Sequence, residues 1–211
     1  MILLASAVLI CVPFLYFCFV EFKEYAFRER ILLSLFQSVT PRTAGFNTAD
    51  YGTMREEGLL LTIVLMLIGG APGSTAGGIK LTTFVVLILS ARAYMHGKQD
   101  TSCGNRRIEQ SAVNSAFTLF LLYLINLLCG TFLISMFEHI PVLQAMFECA
   151  SALGTVGLTT GITPALGTAS KMILIFFMYF GRVGALTLTY AITSVKQTTK
   201  GRLPAEPVTV G

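Results

Sequence analysis

The sequence predicts an all-α integral membrane protein made of two membrane–pore loop–membrane repeats. Three observations predict it. Hydrophobic residues make up 54% of the 211 residues and charged residues 12%, about half the charged share of a water-soluble domain. The apolar residues are gathered into long runs, and mean hydropathy is +0.73. The same order of segments (span, short apolar helix, Gly/Thr loop, span) occurs twice. The composition excludes intrinsic disorder. The net charge of +4, with no basic stripe interleaved with aromatics, gives no footprint for nucleic acid. Cys11, Cys18, Cys103, Cys129 and Cys149 form no CxxC pair, and an odd count at irregular spacing argues against a disulfide framework.

The elements follow in order. Residues 1–20 carry no charge and are long enough to cross a bilayer. No basic stretch precedes them and no A-x-A site follows, so they read as a span, kinked at Pro13, and not as a signal peptide. Residues 21–30 are charged and aromatic, an interfacial stretch. Residues 31–39 are apolar but too short to span, and Thr40, Pro41 and Arg42 stop them. Such a helix is a re-entrant candidate, here a pore helix. Residues 58–92 form a span with a broken middle, Gly69-Gly70-Ala71-Pro72-Gly73-Ser74-Thr75-Ala76-Gly77-Gly78. In a helix interior each Gly costs about 1 kcal/mol and Pro about 3. Irregular backbone at membrane depth survives only inside protein or beside a water cavity, so the break points to function. Two short helices joined by an aqueous loop is the plainer alternative, but each half would be too short to span.

Residues 93–110 read as a polar loop and 111–137 as the next span. Residues 143–153 read as a second pore helix, 155–159 as its Gly/Thr loop, 169–195 as the last span with Arg182 near its centre, and 196–211 as a polar tail. The 93–110 loop with its edge and the tail hold Arg92, Lys98, Arg106, Arg107, Lys196, Lys200 and Arg202 against Asp100, Glu109 and Glu206. The excess of basic residues places loop and tail in the cytoplasm of a multi-pass cell-membrane protein.

The two halves also align in residues. Leu35-Phe36-Gln37-Ser38 lies over Met146-Phe147-Glu148-Cys149. With a one-residue gap, Thr43-Ala44-Gly45-Phe46-Asn47 lies over Thr155-Val156-Gly157-Leu158-Thr159. A dehydrated alkali cation needs oxygens in place of its water, and rings of backbone carbonyls supply them. Glycine allows the dihedrals that turn carbonyls inward, threonine adds a hydroxyl, and a pore helix aims its negative end at the ion. These ten residues are therefore the candidate selectivity filter. Two segments do not close a ring, so either two chains associate or this chain is half of a longer one. Arg182 is expensive at membrane depth, about 3 kcal/mol. It faces a water path, anchors the broken helix through carbonyls, or does both. Lys80 either meets the same cavity or snorkels to the interface.

These motifs carry a resemblance. Residues 38–47, Gly69 to Lys80, Gly181-Arg182-Val183-Gly184 with Leu186-Thr187-Leu188, and the tail ending Val208-Thr209-Val210-Gly211 resemble the Trk/Ktr/HKT superfamily of potassium transporters, nearest its KtrB-type subunits. The resemblance covers essentially the whole chain. It implies a potassium-channel-like fold of four repeats, of which this sequence resembles the third (1–92) and fourth (111–195), with repeats one and two missing. It implies that Gly45 and Gly157 are filter glycines selecting K+. It implies that Gly69, Gly70, Gly73, Ser74, Thr75, Gly77 and Gly78, with Lys80, form a gating loop beneath the filter, and that Arg182 is an electrostatic barrier beside it. It also implies a homodimer in membrane lipid, a cytosolic nucleotide-binding RCK ring (KtrA/TrkA-like) as regulatory partner, and stimulation by Na+.

Two other classes compete. A secondary transporter of another cation or small solute also uses broken helices, but an organic substrate needs a charged partner that these Thr/Gly loops lack. An enzyme needs a cluster of His, Asp or Glu at membrane depth. His96 and His139 are isolated, Glu148 is a lone carboxylate better read as a local hydrogen-bond partner, and no HExxH, G-x-S-x-G or Walker A is present. The sequence therefore reads as that of a transporter and not an enzyme.

Overall fold

The computed structural model describes residues 2–98, 100–104 and 106–184. Helix α1 (Ile2–Tyr16) holds Pro13 and runs on through a wider π-type turn, Phe17–Glu21. These 20 residues are apolar enough to cross a membrane, and 17% of their apolar window is buried in the protein. Most of this helix is therefore left for lipid, where its internal backbone hydrogen bonds suffice. The backbone stays helical through Pro13, and the departure from α geometry comes one turn later.

Helix α2 spans Phe27–Val39, four residues earlier than the apolar run indicates. The extra turn is charged but still helical. Glu29 sits in its first turn, where the positive end of the helix favours it. The Arg30 guanidinium lies 5.6 Å from the Phe27 ring centroid and 6.0 Å from that of Phe19, a cation–π arrangement.

Helices α3 (Glu56–Leu67) and α4 (Leu81–Met95) flank the break. Their facing ends are laced by backbone hydrogen bonds: Gly69 N to Ile79 O, 2.8 Å; Ile79 N to Leu67 O, 2.9 Å; Leu81 N to Gly70 O, 3.1 Å. Residues 71–78 therefore bulge from between two tied helix ends. The segment from Ala93 is not all loop. α4 runs to Met95, and β1 (Ser102–Cys103) pairs antiparallel with β2 (Arg106–Arg107). An Asp100–Arg107 ion pair of 2.8 Å braces this small hairpin.

Helix α5 (Gln110–Glu138) is the second element long and apolar enough to span. Helix α6 (Val142–Leu153) follows after Pro141, then a 3₁₀ turn, Thr163–Ala165, and α7 (Thr168–Val183). The Glu138 carboxylate ties the end of α5 to the start of α7, accepting from Gly167 N at 2.9 Å and Ser170 Oγ at 2.5 Å. Helix α7 reaches a break at Gly184, with φ +89°, and Arg182 lies in the turn just before it. The rest of the span expected over 169–195 lies outside the described residues. Residues 185–211, with Leu186-Thr187-Leu188 and the tail, lie outside the described residues.

The core is built around α6, which packs on α3, α5 and α7. Its Ala145, Phe147, Cys149, Ala150 and Leu153 are fully buried. Between membrane helices the gain comes from close packing and not from escape from water, so small residues matter at crossings. At Gly130 of α5 a Cβ would lie 2.1 Å from the Phe177 ring of α7. Helix α2 instead packs on α1 and the π-type turn, and its Leu32, Leu35, Phe36 and Val39 stay exposed.

Candidate pore loops and intramembrane break

The loops after α2 and α6 share one backbone plan. Thr43 and Thr155 are two of the three non-glycine residues with positive φ among the described residues, at 63° and 53°. Two positions on, Gly45 and Gly157 are again left-handed, at 72° and 90°. Ala44 and Val156 between them are not, so handedness alternates along each T-x-G. In an extended strand successive carbonyls point opposite ways. Reversing φ at alternate residues brings them toward one side, which is the geometry a carbonyl ring needs.

The amides of these loops are spent on the ends of the helices that precede them. Ala44 N and Gly45 N both donate to Thr40 O at 3.2 Å. Thr155 N donates to Ala152 O at 3.0 Å, and Val156 N to Ser151 O at 2.9 Å. Gly157 N donates to Ser151 Oγ at 3.1 Å. The carbonyls of residues 43–45 and 155–157 accept no hydrogen bond among the described residues. Phe46 differs, since its carbonyl takes the Thr40 hydroxyl at 2.7 Å. Its ring and Asn47 are exposed, Leu158 is buried, and Thr159 is partly buried.

The two loops touch. A Cβ added to Gly45 would lie 2.1 Å from Val156 O. Only a glycine lets the first loop approach the second so closely. At Gly157 a Cβ would meet nothing within 4 Å, so backbone sign alone calls for glycine there.

The Gly-rich break sits against the second loop. Gly77 N donates to Thr155 Oγ1 at 3.0 Å, and a Cβ on Gly77 would fall 2.4 Å from the same oxygen. Gly69, Gly77 and Gly78 are buried, Gly70 is partly buried, and Gly73, Ser74 and Thr75 are exposed. The carbonyls of the break are taken by cations. Lys80 Nζ donates to Ser74 O at 3.0 Å and to Ala76 O at 2.6 Å. Arg182 Nη1 donates to Thr75 O at 2.8 Å. Three consecutive carbonyls that lipid could not satisfy are thus capped by two side chains. Lys80 folds back on the break and does not snorkel to the interface. Arg182 anchors the broken helix from the end of α7, while its side chain stays exposed.

A family model described as TrkH, cation transport protein, matches residues 1–202. The chain belongs to the TrkH family. It is 44% identical over 169 residues to the Ktr system potassium uptake protein B of Bacillus subtilis (strain 168), covering 80% of this chain and 38% of that protein. It is 44% identical over 170 residues to the potassium/sodium uptake protein NtpJ of Enterococcus hirae, covering 79% of this chain and 38% of that one. The solved potassium transporter TrkH of Vibrio parahaemolyticus superimposes with a TM-score of 0.73 at 24% identity, over 91% of this chain and 43% of that chain. The TrkH-family fold is an all-α membrane fold with pore-loop repeats, and this chain spans about two-fifths of the length of the relatives it matches.

Some residues of this TrkH-family site escaped the sequence reading as site residues. Glu148, 4% exposed, is the hub behind the second loop. Its Oε1 accepts from Thr159 Oγ1 (2.7 Å), Thr160 N (2.9 Å) and Thr160 Oγ1 (3.1 Å), and its Oε2 from Thr163 Oγ1 (2.6 Å). Gln37 of α2 holds the matching place and accepts from the Tyr51 hydroxyl at 2.5 Å. The signal was present in the alignment, where Gln37 lies over Glu148 and a hydroxyl follows at a span of 14 in one half and 15 in the other.

Proposed function

We propose that this chain supplies two of the four filter segments of a potassium-translocating pore, residues 43–47 and 155–159, with the break at 69–78 as its gate. The carrying observation is the pair of apposed T-x-G loops of alternating handedness whose amides are spent and whose carbonyls are not. Carbonyls so turned suit a bare monovalent cation better than an organic solute. The names of the relatives, potassium uptake and potassium/sodium uptake proteins, agree with K+ as the ion and Na+ as a companion. The Thr155–Gly77 hydrogen bond and those of Lys80 and Arg182 to the break support a gate lying against the filter base. Opening requires those capped carbonyls to be released. Arg182, a fixed positive charge at the break, also opposes cation passage while the gate is closed.

In this reading residues 1–92 and 111–195 are the third and fourth repeats of a four-repeat subunit. Repeats one and two complete the ring. The 93–110 loop and the tail face the cytoplasm of the cell membrane, and the subunits pair as homodimers over a cytosolic RCK ring. The test is rubidium uptake in a potassium-uptake-deficient bacterium expressing these 211 residues, with membrane insertion checked alongside. Uptake altered by Gly157→Ser makes two chains sufficient for a pore. No uptake from the inserted chain, restored when repeats one and two are co-expressed, makes it half of one. No uptake in either case refutes the assignment.

A further inference from the structure

The exit end of α4 carries a feature that ion translocation does not use. A cleft of about 510 Å3 opens there, lined by Leu89, Arg92, Ala93, His96, Lys98 and Ser102. No acidic side chain lines it. Asp100–Arg107 is the only ion pair among the described residues, so Arg92 and Lys98 pair with no carboxylate among them. The negative end of α4 is covered from within: Arg92 O, Ala93 O and Tyr94 O accept from His96 N, Lys98 N and Gly97 N at 3.2, 2.9 and 2.9 Å. The cleft thus presents positive charge and donors to an anion, with the helix carbonyls withdrawn.

The surroundings say which anion. Helix α4 rises about 21 Å from the break, at 1.5 Å per residue, against about 15 Å for half a hydrocarbon core. With the break at membrane depth, as proposed above, its end reaches headgroup level. Ile88, Arg92 and Met95 recur at helical spacing on one stripe, and Ile88, Tyr94 and Met95 are exposed. Exposed apolar side chains beside a basic cleft match an amphiphile, with phosphate in the cleft and acyl chain against Ile88, one turn before Arg92. We propose that this cleft binds the phosphate of an anionic lipid headgroup. The inference rests on the membrane-depth placement of the break and not on which ion passes.

The test uses the whole chain in bilayers. It has no tryptophan, so Tyr94→Trp, or Met95→Trp if the first inserts poorly, places one fluorophore beside the cleft. Brominated phosphatidylglycerol is expected to quench it at roughly tenfold lower mole fraction than brominated phosphatidylcholine, since each surface cation favours an anionic lipid about fivefold. Arg92→Gln with Lys98→Gln should bring the two lipids level. Arg92→Lys should keep most of the preference, which separates loss of charge from loss of fold. Arg106→Gln, which removes a charge from the hairpin outside the cleft, should change it less than either cleft substitution. Equal quenching by both lipids, a preference that survives the double substitution, or an equal loss in Arg106→Gln overturns the proposal. Equal quenching with inorganic phosphate raising the thermal midpoint assigns the cleft to soluble phosphate instead of lipid.

Discussion

Gly45 and Gly157 look alike in sequence but are glycines for different reasons. Gly45 is both left-handed and pressed against Val156 O, whereas Gly157 is left-handed in open space. A serine at 157 therefore carries only left-handed strain, about 1–2 kcal/mol, enough to change an ion preference roughly tenfold. A serine at 45 must also separate the two loops. Potassium-over-sodium discrimination, read from competition against rubidium uptake in the complete protein, is expected to fall in both and further in Gly45→Ser. Unchanged discrimination in either variant would sink the filter assignment. Glu148 belongs to the same scale. Four donors converge on its two oxygens, and an amide can accept on only one. Glu148→Gln keeps an oxygen for Thr159 and Thr160 but sets an N–H against Thr163 Oγ1, so that hydroxyl must turn to accept and the cage loses its charge assistance, about 1 kcal/mol. The thermal midpoint of the purified chain is expected to drop accordingly, and Glu148→Leu should drop it further.

Among the elements, the break between α3 and α4 is a tied bulge and not a hinge of loose chain. Its ends are fixed by three backbone hydrogen bonds, and its exposed turn is held from outside by Lys80 and Arg182. Removing those two cations frees three carbonyls without touching the helices. Lys80→Gln with Arg182→Gln is therefore expected to raise rubidium flux in a protein that inserts normally, and deletion of 70–78 to raise it more. Flux unchanged in both would mean that the break does not gate. The two short helices differ in the same spirit. Glu148 finds four donors, while in α2 the Gln37 Nε2 and Ser34 Oγ, and beyond it Arg42 Nε and Nη2, are buried without a hydrogen-bond partner among the described residues. The pore helix that α3, α5 and α7 surround is satisfied, and the one with an open flank is not.

For the whole molecule, that asymmetry bears on assembly. Pore helix α6 has a helix from the preceding half, α3, against it, whereas the corresponding flank of α2 shows Leu32, Leu35, Phe36 and Val39. Repeats one and two are proposed to close it and to supply acceptors for Arg42. Co-expression of those repeats is then expected to protect Arg42 and the α2 flank from hydrogen exchange, and to raise the yield of inserted protein. Exchange at α2 that is the same with and without them would contradict this arrangement.

The helices and the break between α3 and α4 were readable from residue order, because helix propensity and hydropathy act on local stretches. Twenty uncharged residues are long enough to cross a bilayer, nine are not, and five glycines with a proline do not stay helical. The parallel between the two T-x-G loops was readable for the same reason, since left-handed backbone favours glycine one position at a time. What sits beside what was not. The apposition of Gly45 and Val156, the Gly77–Thr155 hydrogen bond, the Thr cage around Glu148 and the reach of Arg182 to Thr75, 107 positions apart, arise when distant segments fold around α6. The break of α7 at Gly184 is of the same kind. Its apolar run continues in sequence, and packing of the Arg182 turn against the break accompanies the place where the described helix ends. Local hydropathy sets how long a helix can be, but the partners it meets set where its charges go.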